Sequence, residues 1–193
     1  MTGNGLLVGR FQPLHHGHVT LVDHLRKTYR PDTLFVVIGS SQASHTYHDP
    51  FTAGERFEML LRVIRAERWT DLWPVPVADL NHHTLWVRHV ESLLPPFTMV
   101  FTNDPLTRML FEEAGYEVPK LPLFHRGVYQ GTEIRRRMTL GLPWQEAVPG
   151  AVTRFLEEIK GGGAGPPAGR GPKGPSVSPP SGHEASPGPS PPP

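Results

Sequence analysis

Leu6-Leu7-Val8-Gly9-Arg10-Phe11-Gln12-Pro13-Leu14-His15-His16-Gly17-His18 is the stretch from which the fold of this chain is read. Leu6-Leu7-Val8 is an apolar run of strand length, and Val19-Thr20-Leu21-Val22-Asp23-His24-Leu25 begins a helical pattern directly after it. The loop between them holds an arginine, a proline, three histidines and a glycine, where an α/β sheet presents its ligand crevice. A helix start offers free N–H groups and partial positive charge, so this loop predicts a phosphate site with its donors built in.

Outward from that loop, apolar runs alternate with helical patterns. Strands are expected at Leu6–Val8, Leu34–Ile38, Trp73–Val77, Met99–Phe101 and Val118–Leu121. Helices are expected to start near His18, Thr52, Thr84, Pro105, Thr132 and Trp144. This alternation predicts right-handed crossovers and a doubly wound parallel sheet covered on both faces. Thr52-Ala53-Gly54-Glu55 reads as a capping box, and Asp104-Pro105 as a cap followed by a first-turn proline. Thr132 reads as the cap of a helix carrying Arg135, Arg136 and Arg137. That helix start is either a second anion site or a solvated basic face.

Of the 193 residues, the last 33 contain 11 prolines and 9 glycines. Such a segment buries too little apolar surface to offset its ordering entropy. One domain is therefore expected over 1–160, with a disordered tail over 161–193. The domain holds 17 basic and 17 acidic side chains, which argues against nucleic acid as a partner. Cysteine is absent, so no thiolate nucleophile or thiolate metal site exists. No apolar run reaches the roughly 18 residues of a membrane span, and a cytoplasmic protein is expected.

Neither a G-x-x-x-x-G-K-[ST] loop nor a G-x-G-x-x-G turn is present. Residues alone leave His15, His16 and His18 open as phosphate donors, metal ligands or surface groups. Zinc would need further ligands from His45, His48, His82 or His83. Trp86, one turn into Leu85-Trp86-Val87-Arg88-His89-Val90, is either a core residue or a platform for a heteroaromatic cation.

Gly9-Arg10-Phe11-Gln12-Pro13 with His15-x-Gly17-His18 resembles the H-x-G-H loop of the nucleotidylyltransferase superfamily. Gly131-Thr132-Glu133-Ile134-Arg135-Arg136-Arg137-Met138 resembles its second phosphate motif. Gly39-Ser40, Ser44-His45, Asp49-Pro50-Phe51-Thr52-Ala53-Gly54-Glu55-Arg56, Leu85-Trp86-Val87 and Pro95-Pro96-Phe97 narrow the likeness. So do Glu113-Ala114-Gly115-Tyr116-Glu117-Val118 and Pro122-Leu123-Phe124. Together they resemble the archaeal-type nicotinamide mononucleotide (NMN) adenylyltransferases, across about residues 5–160.

The resemblance implies a Rossmann-like fold and transfer of AMP from ATP to the 5′-phosphate of NMN, giving NAD and pyrophosphate. It implies that His15 and His18 contact the ATP phosphates, His18 nearest the α-phosphate, with Arg10 on the same loop. Gly9, Phe11 and Gly17 of that loop would also bind ATP. Thr132 and Arg135 would hold the β and γ phosphates, assisted by Arg136. Trp86 would stack on nicotinamide, with Ser40, His83 and His48 nearby. Mg2+ would arrive on ATP with no side-chain ligand, and a homo-oligomer is implied.

Four positions depart from the family pattern. Gln130 stands for a serine, His83 for an asparagine, Asn103-Asp104 for Gly-Asn, and His48 for an arginine found in some relatives. The rival readings keep AMP transfer with another acceptor (nicotinate mononucleotide, phosphopantetheine or a flavin nucleotide), or make the chain a nucleotide sensor or a zinc hydrolase.

Overall fold

The computed structural model describes residues 3–122 and 130–161. Four parallel strands, β1 (Gly5–Gly9), β2 (Leu34–Ile38), β3 (Leu72–Pro76) and β4 (Met99–Phe101), lie in the order β3-β2-β1-β4. Helices α1 (His16–Thr28), α2 (Ala53–Ala66), α3 (His83–Leu93), α4 (Pro105–Glu113), α5 (Gly131–Leu140) and α6 (Gly150–Gly161) surround them. The chain winds outward from β1 through β2 to β3, then returns to the other side of β1 for β4. The order reverses between β1 and β4, and at such a switch point strand-end loops part to leave a crevice.

Strand side chains alternate between two cores because successive Cβ atoms point to opposite faces. Leu34, Val36 and Ile38 join Leu7 and Phe101 in a core roofed by Leu21, Val22 and Leu25 of α1, Met59, Leu60 and Val63 of α2, and Val152 and Phe155 of α6. Phe35 and Val37 join Leu6 and Val100 in a second core under Trp86, Val87 and Val90 of α3 and Phe111 of α4. All five β2 residues are buried, which accounts for their unbroken apolar run. β3 is an edge strand, where Pro74 and Pro76 can lack an N–H without breaking a ladder.

The caps are built as the sequence suggests at two helices. Glu55 N–H donates to Thr52 Oγ1 at 3.2 Å while Thr52 N–H donates to Glu55 Oε2 at 2.7 Å, closing the box at α2. Asp104 Oδ2 accepts from Thr107 N–H at 2.8 Å, with Pro105 opening α4.

Three expectations are corrected. Val118–Leu121 forms no strand: the neighbouring Glu117 makes one isolated parallel bridge to Met99, and pairing stops there. Pro119 has no N–H to give, and Arg108 takes the carbonyls of Val118 and Pro119. The helix expected near Trp144 is split: a 3-10 helix, Gln145–Ala147, starts there, and the α-helix α6 begins only after Pro149. Thr132 is not the cap of α5, which is Gln130, so Thr132 lies in the first turn. The expected tail falls on residues outside those described, apart from Gly161 at the end of α6, as do Leu123 and Phe124.

Candidate active site

The loops that leave β1, β2 and β3 carry the site, and each turns sharply. Phe11 (φ 52°), Ser40 (φ 48°) and Asn81 (φ 57°) all adopt the left-handed region, unfavourable for residues with a Cβ. Such strain survives only where surrounding contacts impose it, and it concentrates at functional loops. Between the strand ends lies a cavity of about 420 Å³, a size that suits a small ligand. Gly9, Arg10, Ser40, His83 and Trp86, all expected site residues, line it.

Trp86 sits in the core and at the cavity edge at once. Its ring is nine-tenths buried against Phe111 (5.7 Å, edge-on), and it also borders the cavity. Asp79 and Asp104 add two carboxylates to the lining. Sequence reasoning gave Asp79 no role and took Asp104 for a helix cap whose carboxylate, a departure from the family pattern, bears on adenosine contacts. Gln42 holds Asp79 on both sides: its Nε2 donates to Asp79 Oδ2 at 3.2 Å and its Oε1 accepts Asp79 N–H at 3.0 Å. Position after a strand end was the signal available for Asp79.

The phosphate-loop histidines are packed rather than loose. His15 precedes α1, and its ring stacks on His18 at 3.7 Å, with the tilted Phe11 ring 4.8 Å from His18. A Cβ on Gly9 would come within 2.9 Å of the Phe11 ring, so glycine lets Phe11 tuck beneath the loop. His15 N–H donates to His18 Nδ1 at 3.3 Å. That acceptance places the His18 proton on Nε2, leaving Nε2–H as the donor for a ligand. Burial, aided by neighbouring His16 and Arg135, pushes His15 down to about 4. Burial and then His15 push His18 well below the usual histidine range. Both rings are therefore neutral near pH 7, each with one N–H. Gly17 lies half-buried in the first turn of α1.

The two phosphate motifs, more than a hundred residues apart, meet at Gln12. Arg135 Nη1 donates to the Gln12 carbonyl at 2.7 Å, and Arg135 Nη2 donates to Thr132 Oγ1 at 3.3 Å. The Gln12 side chain exchanges two hydrogen bonds with the Phe51 backbone, at 2.9 and 3.0 Å. Gln12 thus joins three segments, a role sequence reasoning did not assign. Among the described residues, buried His15 Nδ1 and Arg135 Nε lack a hydrogen-bond partner. Unsatisfied buried polar atoms are costly, and Asp49 Oδ1 is a third such atom. Asp49 Oδ1 lies 3.5 Å from Arg10 Nη1 and balances this basic cluster.

Two expected residues stand apart. His48 is exposed, edge-on to Tyr47 at 5.4 Å, and does not border the cavity. Arg136 is exposed and forked onto Glu133 at 2.8 and 3.0 Å, so it would have to leave that carboxylate to take phosphate. No three His, Asp or Glu side chains converge as metal ligands among the described residues.

Residues 6–137 match the family model for cytidylyltransferase-like proteins. The nicotinamide-nucleotide adenylyltransferase of Pyrococcus abyssi is 45% identical over 158 residues, covering 81% of this chain and 84% of its own. That of Thermoplasma acidophilum is 46% identical over 155 residues, covering 80% and 86%. Among solved structures, the bifunctional NMN adenylyltransferase/ADP ribose pyrophosphatase of Francisella tularensis, complexed with AMP and manganese, superposes with a TM-score of 0.65 at 16% identity. That likeness covers 81% of this chain and 50% of the other. A NadR protein in complex with NAD and AMP-PNP gives a TM-score of 0.61 at 15% identity, covering 80% of this chain and 46% of its own. At such identities these two likenesses speak for the fold.

Proposed function

The chain belongs to the nicotinamide-nucleotide adenylyltransferases of the cytidylyltransferase-like family, and from that premise we propose how its own residues join ATP to NMN. The enzyme is a nucleotidyltransferase of NAD synthesis. An oxygen of the NMN 5′-phosphate forms a bond to the α-phosphorus of ATP, and the bond from that phosphorus to the pyrophosphate oxygen breaks. The attacking oxygen is already anionic, so no side chain need take a proton. Alignment and charge neutralisation remain for the protein.

His18 Nε2–H donates to the α-phosphate as its charge spreads, and His15 and Arg10 hold the neighbouring oxygens. Thr132 and Arg135 take the β and γ phosphates. Mg2+ would arrive with ATP and would supply charge neutralisation to the pyrophosphate; the N–H donors of His15, His18 and Arg135 would hold phosphate oxygens and not the ion. The observation that carries this reading is the Arg135–Gln12 bond, which joins the two phosphate motifs, while Gly9 and Arg10 of the first motif border the Trp86 cavity.

The cavity also favours the amide acceptor over the acid. Trp86 offers an indole to the pyridinium ring, and Asp79 and Asp104 border the same space. A nicotinate carboxylate would add a third negative charge there, whereas a carboxamide adds none. Pyrophosphate release with ATP and Mg2+, measured against NMN, nicotinate mononucleotide, phosphopantetheine and flavin mononucleotide, tests the whole reading. NMN should turn over fastest; no release with either pyridine mononucleotide overturns it.

The same reading makes the protein cytoplasmic, without nucleic-acid or membrane partners, and a homo-oligomer as the family resemblance implies. No described helix is long and apolar enough to cross a membrane. It assigns the catalytic fold to 1–160 and leaves the 161–193 tail outside the reaction.

A further inference from the structure

Arg56 on α2 is the largest fully buried side chain among the described residues, and its guanidinium bonds to no carboxylate. Its five contacts all go to main-chain carbonyls. Nη1 donates to Arg10 O (3.1 Å) and Gly39 O (2.8 Å); Nη2 donates to Ser40 O (3.1 Å) and Ala43 O (3.4 Å). Nε donates to Thr52 O at 3.2 Å. A guanidinium carries five N–H groups, so the contacts match its full donor capacity. Taking a charge out of water is costly, and these contacts offset that cost by satisfying both the guanidinium and the carbonyls it meets.

What the arrangement does bring is a joint between two loops. Arg10 belongs to the loop after β1, whereas Gly39, Ser40 and Ala43 belong to the loop after β2. The last main-chain bond between these segments runs from Gly39 N–H to Gly9 O at 2.9 Å. Beyond it the strained turns at Phe11 and Ser40 send the chains apart. Arg56 bridges them at that divergence. Gly9, Arg10, Gly39 and Ser40 all border the cavity, so the joint lies behind the wall of the site.

We propose that Arg56 is a positioning residue that sets the spacing between the ATP-phosphate loop and the acceptor loop while touching neither substrate. The inference rests on the AMP-transfer reading above. Each loop keeps its own strand and its local turns without Arg56, so each substrate should still find its subsite. Their mutual alignment is what relaxes, and a misplacement of about 1 Å can cost on the order of a hundredfold in rate. Lysine cannot replace this fork, because one ammonium with three donors does not span five carbonyls.

The test uses the full chain as Arg56→Met and Arg56→Lys. Arg56→Met keeps volume and removes the buried charge but leaves the carbonyls of Arg10, Gly39, Ser40 and Ala43 without this donor, so folding of each variant is checked by thermal denaturation. Turnover is measured beside calorimetric binding of ATP–Mg2+ alone and NMN alone. Both variants should lose at least about thirtyfold in kcat while each separate Kd moves less than about threefold. A folded variant with near-normal kcat overturns the proposal, as does a parallel loss of kcat and both affinities. Unfolding of both variants assigns Arg56 a purely structural role and also overturns it. A wild-type protein that binds ATP but does not turn over NMN refutes the reaction instead.

Discussion

At the scale of the residue, the two histidines of the first loop differ from surface histidines in being dry, stacked and neutral. A neutral donor suits a reaction with no proton to move, since it needs only to hold an N–H against developing charge. His18→Ala should lower kcat at least about a hundredfold, the usual effect of deleting one such donor, while ATP affinity changes much less. Steady-state kinetics beside ATP binding checks this; near-normal kcat would remove His18 from the mechanism. The depressed pKa of His15 also has a stability consequence. Its unfolded form takes a proton below pH 6.5, and the folded site resists until about 4. Stability from this burial is therefore complete above pH 6.5 and drains away as pH falls toward 4, by up to about 3 kcal/mol. The thermal midpoint of the ligand-free protein should fall over that window, and more steeply than in His15→Gln. Equal slopes in the two proteins would show that His15 does not couple to folding.

At the scale of the element, the site depends on α5 docking onto the β1 loop. Gly131 makes the close approach possible: a Cβ there would sit 3.1 Å from both the Gln12 carbonyl and Arg135 Nη1. Gly131→Ala should push α5 away and raise KM for ATP more than KM for NMN, because Thr132 and Arg135 move with the helix. Equal changes in the two KM values would show that the docking does not serve the ATP subsite. Elements whose signals are local were legible in the sequence. The buried run Leu34–Ile38, the Thr52 box and the Asp104-Pro105 start are each decided by a few neighbouring residues. Val118–Leu121 was misread because its apolar pattern is that of a strand, yet its fate depends on Pro119 and on Arg108, which takes the carbonyls of residues 118 and 119.

At the scale of the whole molecule, the sheet order 3-2-1-4 places the loops after β1, β2 and β3 and the start of α4 around one cavity. The residues from 161 onward have a composition too poor in apolar side chains to build a core, and the proposed mechanism uses none of them. Truncation at Gly161 should leave turnover within about twofold of the full chain, a level at which a surface change is normally silent. A larger loss of kcat in a folded truncation would give the tail a role in the reaction.

By itself the sequence determined the α/β class, and it pointed to the first loop, the Arg135 motif and Trp86 as the places to look for a site. Those properties reside in hydrophobic period, helix-start chemistry and motif spacing, all local along the chain. Only the tertiary structure decided that Arg135 seats on Gln12, that Asp79 borders the cavity in the grip of Gln42, and that Arg56 joins two loops from beneath. It also set His48 and Arg136 apart from the cavity and from free phosphate donors. Those outcomes depend on which carbonyl or carboxylate a long side chain meets across the fold, and no local pattern encodes that meeting.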